Sequence, residues 1–478
     1  MSTKQHLAVP RMAAALVALF VLACTEGTTT PKAAITPRSG LTVSQSLASV
    51  AAPQTGTPTD QHVFMMNGNS IPDSFAADVA AAGGTVLRVH PEIGVAVARG
   101  LTDAAAQAIA RGQARVERDV LVQWVPTLED VQGTVLDAEP PDVGITAGSP
   151  LTAAFLPLQW NMRQIHALEA WVDHTGTRNV RVAILDTGLD PDHIDQSGTI
   201  DAASSVAFTP SLNGPPEWAD DQFHGTHVGG IVTTNNIGTA GVAPNVTLIA
   251  IKVLNASGSG SFADVIAGLL WAAQVHADVA NMSLGAFFPK TGATATLVAA
   301  LNKAVNYANA HDVLVVSAAG NAGVDLQHDE NFVEEPCEAG TGICIDATGP
   351  TDTKASYSNY GVPAIDVAAP GGDFGPPPTS FVLSPCSSRS VIPALATCRS
   401  RVRYLFVIGT SQATPHVSGL AALFDSQFGG TLDPAQLETN IQQCSDDLGK
   451  PGVDPFYGQG RINVFKTVNQ VGCNNGTP

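Results

Sequence analysis

The sequence predicts an α/β protein built on a doubly wound, mostly parallel sheet with helices on both faces. Three observations predict it. Between Leu158 and Val471, runs such as VRVAIL, VTLIAIKVL and VLVVSAAG are apolar throughout rather than alternating, as strands covered on both faces are. Helically spaced apolar residues separate these runs, the pattern of parallel strands joined by crossovers. The chain has 478 residues, 44% hydrophobic and only 14% charged, which is enough to bury a large core and too apolar for long disordered tracts.

Residues 1–24 read as an export signal, because Lys4 and Arg11 precede an apolar stretch from Met12 to Leu22 that is too short to anchor permanently in a bilayer. Val21-Leu22-Ala23-Cys24 resembles a bacterial lipobox, with Cys24 lipidated as the mature N-terminus; ordinary secretory cleavage is the alternative. Residues 25–60, rich in Thr, Pro, Ser and Ala, form a flexible spacer. Residues 61–125 run strand, helix, strand, strand, helix, strand: HVFMMN, Ser74 to Ala82, TVLRVH, GVAVAR, Ala104 to Ala110 and VLVQWV. That order is a small ferredoxin-like α+β unit, marginal by itself and expected to lean on a partner surface. Residues 126–157 are a proline-rich linker, the kind of segment proteases cut. The doubly wound domain fills 158–471, and 472–478 are a tail.

A net charge of −19 argues against nucleic acid or anionic membrane surfaces as partners, since phosphates would be repelled. Setting Cys24 aside leaves six cysteines, an even number in an exported chain, as a disulfide framework requires. Six allow about 15 pairings. The short loops favour Cys337 with Cys344, Cys386 with Cys398 and Cys444 with Cys473.

The chemistry gathers where strands end. Arg403 to Ile408 is apolar and β-rich, and from Ser411 in GTSQATPHVSG the spacing turns helical, so Ser411 stands at a strand-to-helix junction. Free N–H groups and the helix dipole there stabilise negative charge developing on a group that the hydroxyl attacks. Gly409 permits the turn, and Pro415 is harmless if it lies in the first helical turn. Asp186 closes the strand VRVAIL, and His224 begins HGTHVGG behind acidic Asp220 and Asp221. A turn aspartate, a surface histidine and an N-cap serine are the plain readings of each alone. Together they supply a hydroxyl, a base and a carboxylate that fixes the base's tautomer. Asn321 in SAAGNAG adds an amide donor for an oxyanion, and His227 is expected in the core.

These four motifs, AILDTGLDPDH, HGTHVGG, AAGNAG and GTSQATPHVSG in that order, resemble those of the subtilisin-like serine proteases, the subtilase family, across residues 158 to 471. The resemblance implies a subtilisin-like fold and a serine endopeptidase working through Asp186, His224, Ser411 and Asn321. It implies that residues 61–125 are an inhibitory pro-region and that the linker contains the self-processing site. Ser257, Gly258, Ser259 and Gly260 would form one strand of the substrate cleft, and Ser283, Leu284 and Gly285 the other, with a peptide added between them. Ala318, Ala319 and Gly320 would line the primary side-chain pocket, whose small apolar walls suit large uncharged side chains.

Gln412 and Gly229 depart from the family pattern of methionine and alanine. No cofactor is required for the chemistry. Asp195 matches a calcium-ligand position, so a structural calcium is an option, although the loop Thr234 to Gly238 is two residues short. The segment Gly371 to Arg403 is expected to be a disulfide-pinned surface insertion close to the site. The expected product is a monomeric, exported or cell-envelope protease acting on protein or peptide substrates. The alternative is an inactive surface lipoprotein that binds peptides. A dinucleotide-binding enzyme is excluded because the first strand ends in DTGLDPDH without a glycine-rich phosphate turn.

Overall fold

The structure, a computed structural model, describes residues 54, 56–126, 133–141, 147–292, 294–328 and 331–473. The export signal, Cys24, nearly all of the spacer, two pieces of the linker and residues 474–478 lie outside the described residues. In the N-terminal part, β1 (Thr57–Met66), α1 (Phe75–Ala81), β2 (Thr85–His90), β3 (Val95–Arg99), α2 (Asp103–Ala110) and β4 (Ala114–Gln123) follow in the expected order. The strands stand β2-β3-β1-β4, all antiparallel, which is the ferredoxin-like arrangement. Strand alternation sorts β1: Phe64 and Met66 pack with Phe75 and Val79 of α1 and Ala106 of α2. Val63 and Met65 point to the other face and join the core of the large domain.

Next come β5 (Gly133–Val135), α3 (Trp160–Gln164) and α4 (Ala167–Ala170). The large domain then runs through β6 (Arg181–Asp186), β7 (Val206–Ala207), α5 (His224–Val232), β8 (Thr247–Lys252), β9 (Ser259–Ser261), α6 (Phe262–Gln274), β10 (Val279–Met282) and β11 (Ala286–Pro289). It continues with α7 (Ala295–Asn309), β12 (Leu314–Ala318), β13 (Phe332–Glu335), β14 (Ile343–Thr348), β15 (Val367–Pro370), β16 (Val382–Pro385), β17 (Tyr404–Val407), α8 (Thr410–Asp425), α9 (Pro434–Gln443) and α10 (Val464–Asn469). Seven of these strands make a parallel sheet in the order β15-β14-β12-β10-β6-β8-β7. Both faces are covered, as the unbroken apolar runs require: Val182 and Ile184 of β6 pack with Val228 of α5 and Val417 of α8. Ala183 and Leu185 face Leu269 of α6 and Leu301 of α7.

One strand stands elsewhere than expected. β17 does not join the parallel sheet; it lies in an antiparallel sheet ordered β16-β17-β5. Its apolar sequence arises because it too is covered on both sides: Tyr404 and Phe406 enter the main core, while Leu405 and Val407 pack on Phe223 and the Cys386–Cys398 pair. All three disulfides join the cysteines that loop length favoured. The 371–403 segment is not a surface ornament, because Phe381, Val382 and Leu383 are buried and Ser387 Oγ donates to the Asp220 carbonyl at 2.6 Å.

The N-terminal sheet rests on α6 and α7. Asp119 of β4 accepts the N–H groups of Phe262 and Ala263 at 3.1 and 3.4 Å, and Glu117 accepts that of Thr296 at 3.0 Å, so two carboxylates cap the first turns of both helices. Arg88 pairs with Asp264 at 2.8 Å beside them. Burial, reinforced by the Asp264 charge, pushes the Asp119 carboxyl up to about 7, and burial also raises Glu117 and Asp264. A carboxyl raised on folding costs stability as pH climbs from its ordinary range to its folded value. In a chain carrying Ser411→Ala to prevent self-digestion, Asp119→Asn should therefore shrink the loss of unfolding free energy between about pH 4 and pH 8, by on the order of 2–4 kcal/mol. Chemical denaturation at the two pH values measures it, and an unchanged loss counts against the account.

Candidate active site

Asp186 is the last residue of β6, and its carboxylate is fully buried. Both of its oxygens lie 2.9 Å from His224 Nδ1, and Oδ1 also accepts the Thr187 N–H at 2.7 Å. His224 is the first residue of α5. Its helix can press onto the strand end because residue 225 is glycine: a Cβ there would lie 2.1 Å from the Gly188 carbonyl oxygen and 3.2 Å from Asp186 Cβ. Asp220 ties the two pieces together. Its Oδ2 accepts the N–H and hydroxyl of Thr226 in the first turn of α5 at 3.0 and 2.6 Å, and its Oδ1 accepts the Thr187 hydroxyl at 2.9 Å. Thr187 Oγ1 in turn accepts the Gly225 N–H at 2.9 Å. Burial raises the Asp220 carboxyl to about 7, against the lowering pull of the Lys252 ammonium. Lys252 itself is fully buried and pairs with Asp221 at 2.7 Å. The sequence flagged these two acids only as neighbours of His224. His227 is in the core as expected, bonded to the Leu405 carbonyl at 3.0 Å, and burial lowers it to about 3.

Ser411 is the second residue of α8, behind Gly409 at φ +154°. Its hydroxyl donates to the Ser283 carbonyl at 3.0 Å, and no hydrogen bond joins it to His224. The helices that carry them, α5 and α8, pack against each other. Pro415 lies inside α8, beyond its first turn, so the condition for it to be harmless is not met. It has no N–H for the Ser411 carbonyl four residues earlier, and the Ser283 hydroxyl donates to that carbonyl instead, at 2.9 Å. The Asn321 amide oxygen accepts the Thr410 N–H and hydroxyl at 2.9 and 3.0 Å, which turns the amide nitrogen to the opposite side. Asn321, Thr410 and Ser411 line one cavity of about 290 Å³ together with Ala318, Gly320 and Glu334.

Two expected features of the cleft stand differently in the structure. Ala319 does not line the pocket that Ala318 and Gly320 line; it is fully buried in a cluster with Leu326, Cys344 and Ile365, because successive residues of an extended segment alternate sides. Nor are the pocket walls wholly apolar, since Glu334 enters them; the short β13 that carries it has no periodic signature to read. Leu284 packs into the core below the cleft, leaving the backbone of Gly285 to face it. The cleft is filled by the chain's own residues. Leu121, Val122 and Gln123 pair antiparallel with Ser261, Gly260 and Ser259. The N–H groups of Trp124 and Val125 donate to the Gly258 carbonyl at 3.2 and 3.3 Å, and the Gly285 N–H donates to the Trp124 carbonyl at 3.0 Å. Gln123 Nε2 donates to the Ser257 carbonyl at 2.7 Å. Trp124 is buried between Phe262 and Phe288, with ring centroids 5.1 and 5.5 Å away. Pro126 reaches the cavity that contains Ser411.

A profile of the Subtilase family matches residues 177–460. Subtilisin DY of Bacillus licheniformis is 37% identical over 289 residues, covering 60% of this chain and 89% of that protein. Thermitase of Thermoactinomyces vulgaris is 32% identical over 67% of this chain and 99% of its own length. Among solved structures, the epidermin leader peptide processing serine protease EpiP of Staphylococcus aureus shares the fold with a TM-score of 0.66 at 23% identity, covering 86% of this chain and 98% of that one.

Of the two residue departures, Gly229 has a local cause, and nothing in the structure explains Gln412. At Gly229 a Cβ would lie 2.7 Å from Leu189 and 3.2 Å from Gln196 Nε2, which is engaged with the Thr226 carbonyl at 2.7 Å. Asp195 does not fit a calcium ion. Its Oδ1 accepts the Ile237 N–H at 2.8 Å; its Oδ2 accepts the N–H groups of Gly238 and Thr239 at 3.1 and 2.9 Å and the Tyr404 hydroxyl at 2.8 Å. The shortened loop thus aims positive N–H ends at the carboxylate, where a calcium site would need oxygen ligands. In the Ser411→Ala chain, Tyr404→Phe should cost about 1–3 kcal/mol by removing a buried donor, whereas a chelator should leave the melting temperature unchanged. Thermal unfolding with and without EDTA tests both, and a chelator-induced drop of several degrees contradicts the assignment.

Proposed function

The chain is a serine endopeptidase of the subtilase family, and we propose that it is exported as a precursor that cuts its own linker, with Ser411, His224, Asp186 and Asn321 doing the chemistry. Ser411 Oγ turns from the Ser283 carbonyl and attacks the scissile carbonyl carbon while His224 Nε2 takes its proton. Asp186 holds the proton on Nδ1 and stabilises the imidazolium. The Asn321 amide and the Ser411 N–H donate to the oxyanion. His224 then protonates the leaving amine, and water repeats the sequence on the acyl-enzyme to release the acid.

The single observation that carries the precursor reading is the strand from Leu121 to Val125, hydrogen-bonded in the cleft and leading to Pro126 in the cavity with Ser411. On the far side, Gly133 to Val135 pair with Val407 to Leu405, the strand that runs into Ser411. The linker is therefore anchored on both sides of the serine, which supports self-cleavage within 126–157. Residues 61–125 act as the intramolecular inhibitor, since the strand they supply excludes a substrate strand. The inactive peptide-binding alternative draws on one observation, the Ser411 hydroxyl bonded to Ser283 rather than His224. Export, with or without lipid on Cys24, follows from the N-terminal signal alone.

A fluorophosphonate should label Ser411 in the processed protein, and the precursor carrying Ser411→Ala should remain uncut in a protease-free system. An unlabelled serine, or a Ser411→Ala precursor cut at the wild-type rate, sinks the reading. Asp186→Asn should keep the fold and lower kcat by about 10⁴-fold, as measured on a peptide substrate, because the imidazole loses its tautomer.

A further inference from the structure

Glu334 stands in the pocket beside the serine. It is 2% exposed, on β13, whose register sets Phe287 opposite Glu334 and Ala286 opposite Glu335. Glu338 fixes its backbone: Glu338 Oε2 accepts the Glu334 N–H at 2.7 Å, and the Glu338 N–H donates to the Glu334 carbonyl at 2.8 Å. Its carboxylate lies against two glycines, one from each wall. A Cβ at Gly285 would be 2.5 Å from Oε1, and one at Gly320 would be 2.9 Å from the same atom. Any larger residue at either place would displace the carboxylate. Neighbouring Glu335 faces Asn302 of α7, and burial raises its carboxyl to about 8.

We propose that Glu334 sets the specificity of the protease, selecting lysine or arginine as the residue whose carbonyl Ser411 attacks; this rests on the reading of Ser411 as nucleophile. Ala318, Gly285 and Gly320 give the long aliphatic stem of such a side chain small walls to lie along, and its cationic end meets the carboxylate. A phenylalanine or leucine entering the same pocket would set hydrocarbon against that polar carboxyl group, which is unfavourable. The net charge of −19 draws basic peptides toward the enzyme. The chain's own linker offers no such side chain, because residues 119–162 contain neither Lys nor Arg. Its cutting is intramolecular, where effective concentration replaces affinity for the pocket. The linker is thus a poor match by design of its sequence, and it should be cut more slowly than the same segment with lysine at its cleavage point.

The test uses the self-processed full chain on Ala-Ala-Pro-X p-nitroanilides with X as Lys, Arg, Phe or Leu, alongside fluorophosphonate labelling of the same preparation. The expected kcat/KM for Lys and Arg exceeds that for Phe and Leu by about tenfold or more, and Glu334→Gln removes that excess while labelling persists. Labelled enzyme that prefers Phe or Leu, or an unchanged ratio in Glu334→Gln, overturns the pocket assignment and leaves the nucleophile standing. Absence of both labelling and hydrolysis overturns the two together. Should Glu334→Gln fail to fold, benzamidine gives a second measurement on the wild type: competitive inhibition of Phe-substrate hydrolysis is expected, and none overturns the proposal.

Discussion

The contact on which the site depends is the one between the end of β6 and the start of α5. Asp186 can hold His224 at 2.9 Å only if the helix comes within backbone contact of the turn after the strand. Gly225 allows that approach, and a Cβ at Gly188, at φ +109°, would lie 2.4 Å from the Trp218 carbonyl oxygen. Asp220 then closes the junction from below with bonds to Thr187 on one side and Thr226 on the other. Three backbone segments are locked by one buried carboxylate, so the imidazole is oriented before any substrate arrives. Such preorganisation is what makes a weak hydroxyl usable as a nucleophile.

The serine is held by a parallel device. An α-helix interior normally satisfies every carbonyl, but Pro415 removes the donor for the Ser411 carbonyl. Ser283 supplies a replacement hydroxyl and offers its own carbonyl to the Ser411 hydroxyl, so one residue of the cleft wall grips both polar ends of Ser411. Asn281 donates to the Ser283 hydroxyl and accepts from Ser418, about two turns beyond Ser411 along the helix. The helix start is thereby tied to the carboxyl end of β10, on the same sheet that presents Asp186.

How much of this was legible follows from the range of each signal. Strands buried on both faces announce themselves by unbroken apolar runs, so β6, β8, β10 and β12 could be placed from sequence, and the N-terminal unit could be ordered element by element. β17 has the same composition but belongs to another sheet, because an apolar run reports burial and says nothing of which neighbour supplies the hydrogen bonds. β5 was read as linker: three residues in a glycine- and proline-punctuated stretch carry no period, and the pairing with Leu405 to Val407 is set by tertiary contact. The catalytic candidates were legible because each sits in a motif with its own glycine constraint. Glu334 was not, since its place in the pocket depends on the pairing of β11 with β13, which sets it opposite Phe287, 334 − 287 = 47 positions away. Ala319 failed for a simpler reason, one step of strand alternation.

The same geometry bears on how the precursor would be silenced and then released. The segment Leu121 to Val125 uses the backbone of Gly258 to Ser261 and Gly285, the donors and acceptors a substrate strand would need. Cutting the linker beyond Pro126 removes none of these bonds. It also leaves intact the larger attachment, in which Val63, Val97, Val120 and Val122 share a core with Leu269 and Leu301, and Asp119 and Glu117 cap α6 and α7. Cleavage alone therefore changes connectivity more than affinity. On the proposed reading the cut unit is then held only by reversible contacts, so its dissociation frees the cleft, and a unit with a thin core between one sheet and two short helices is marginal once detached.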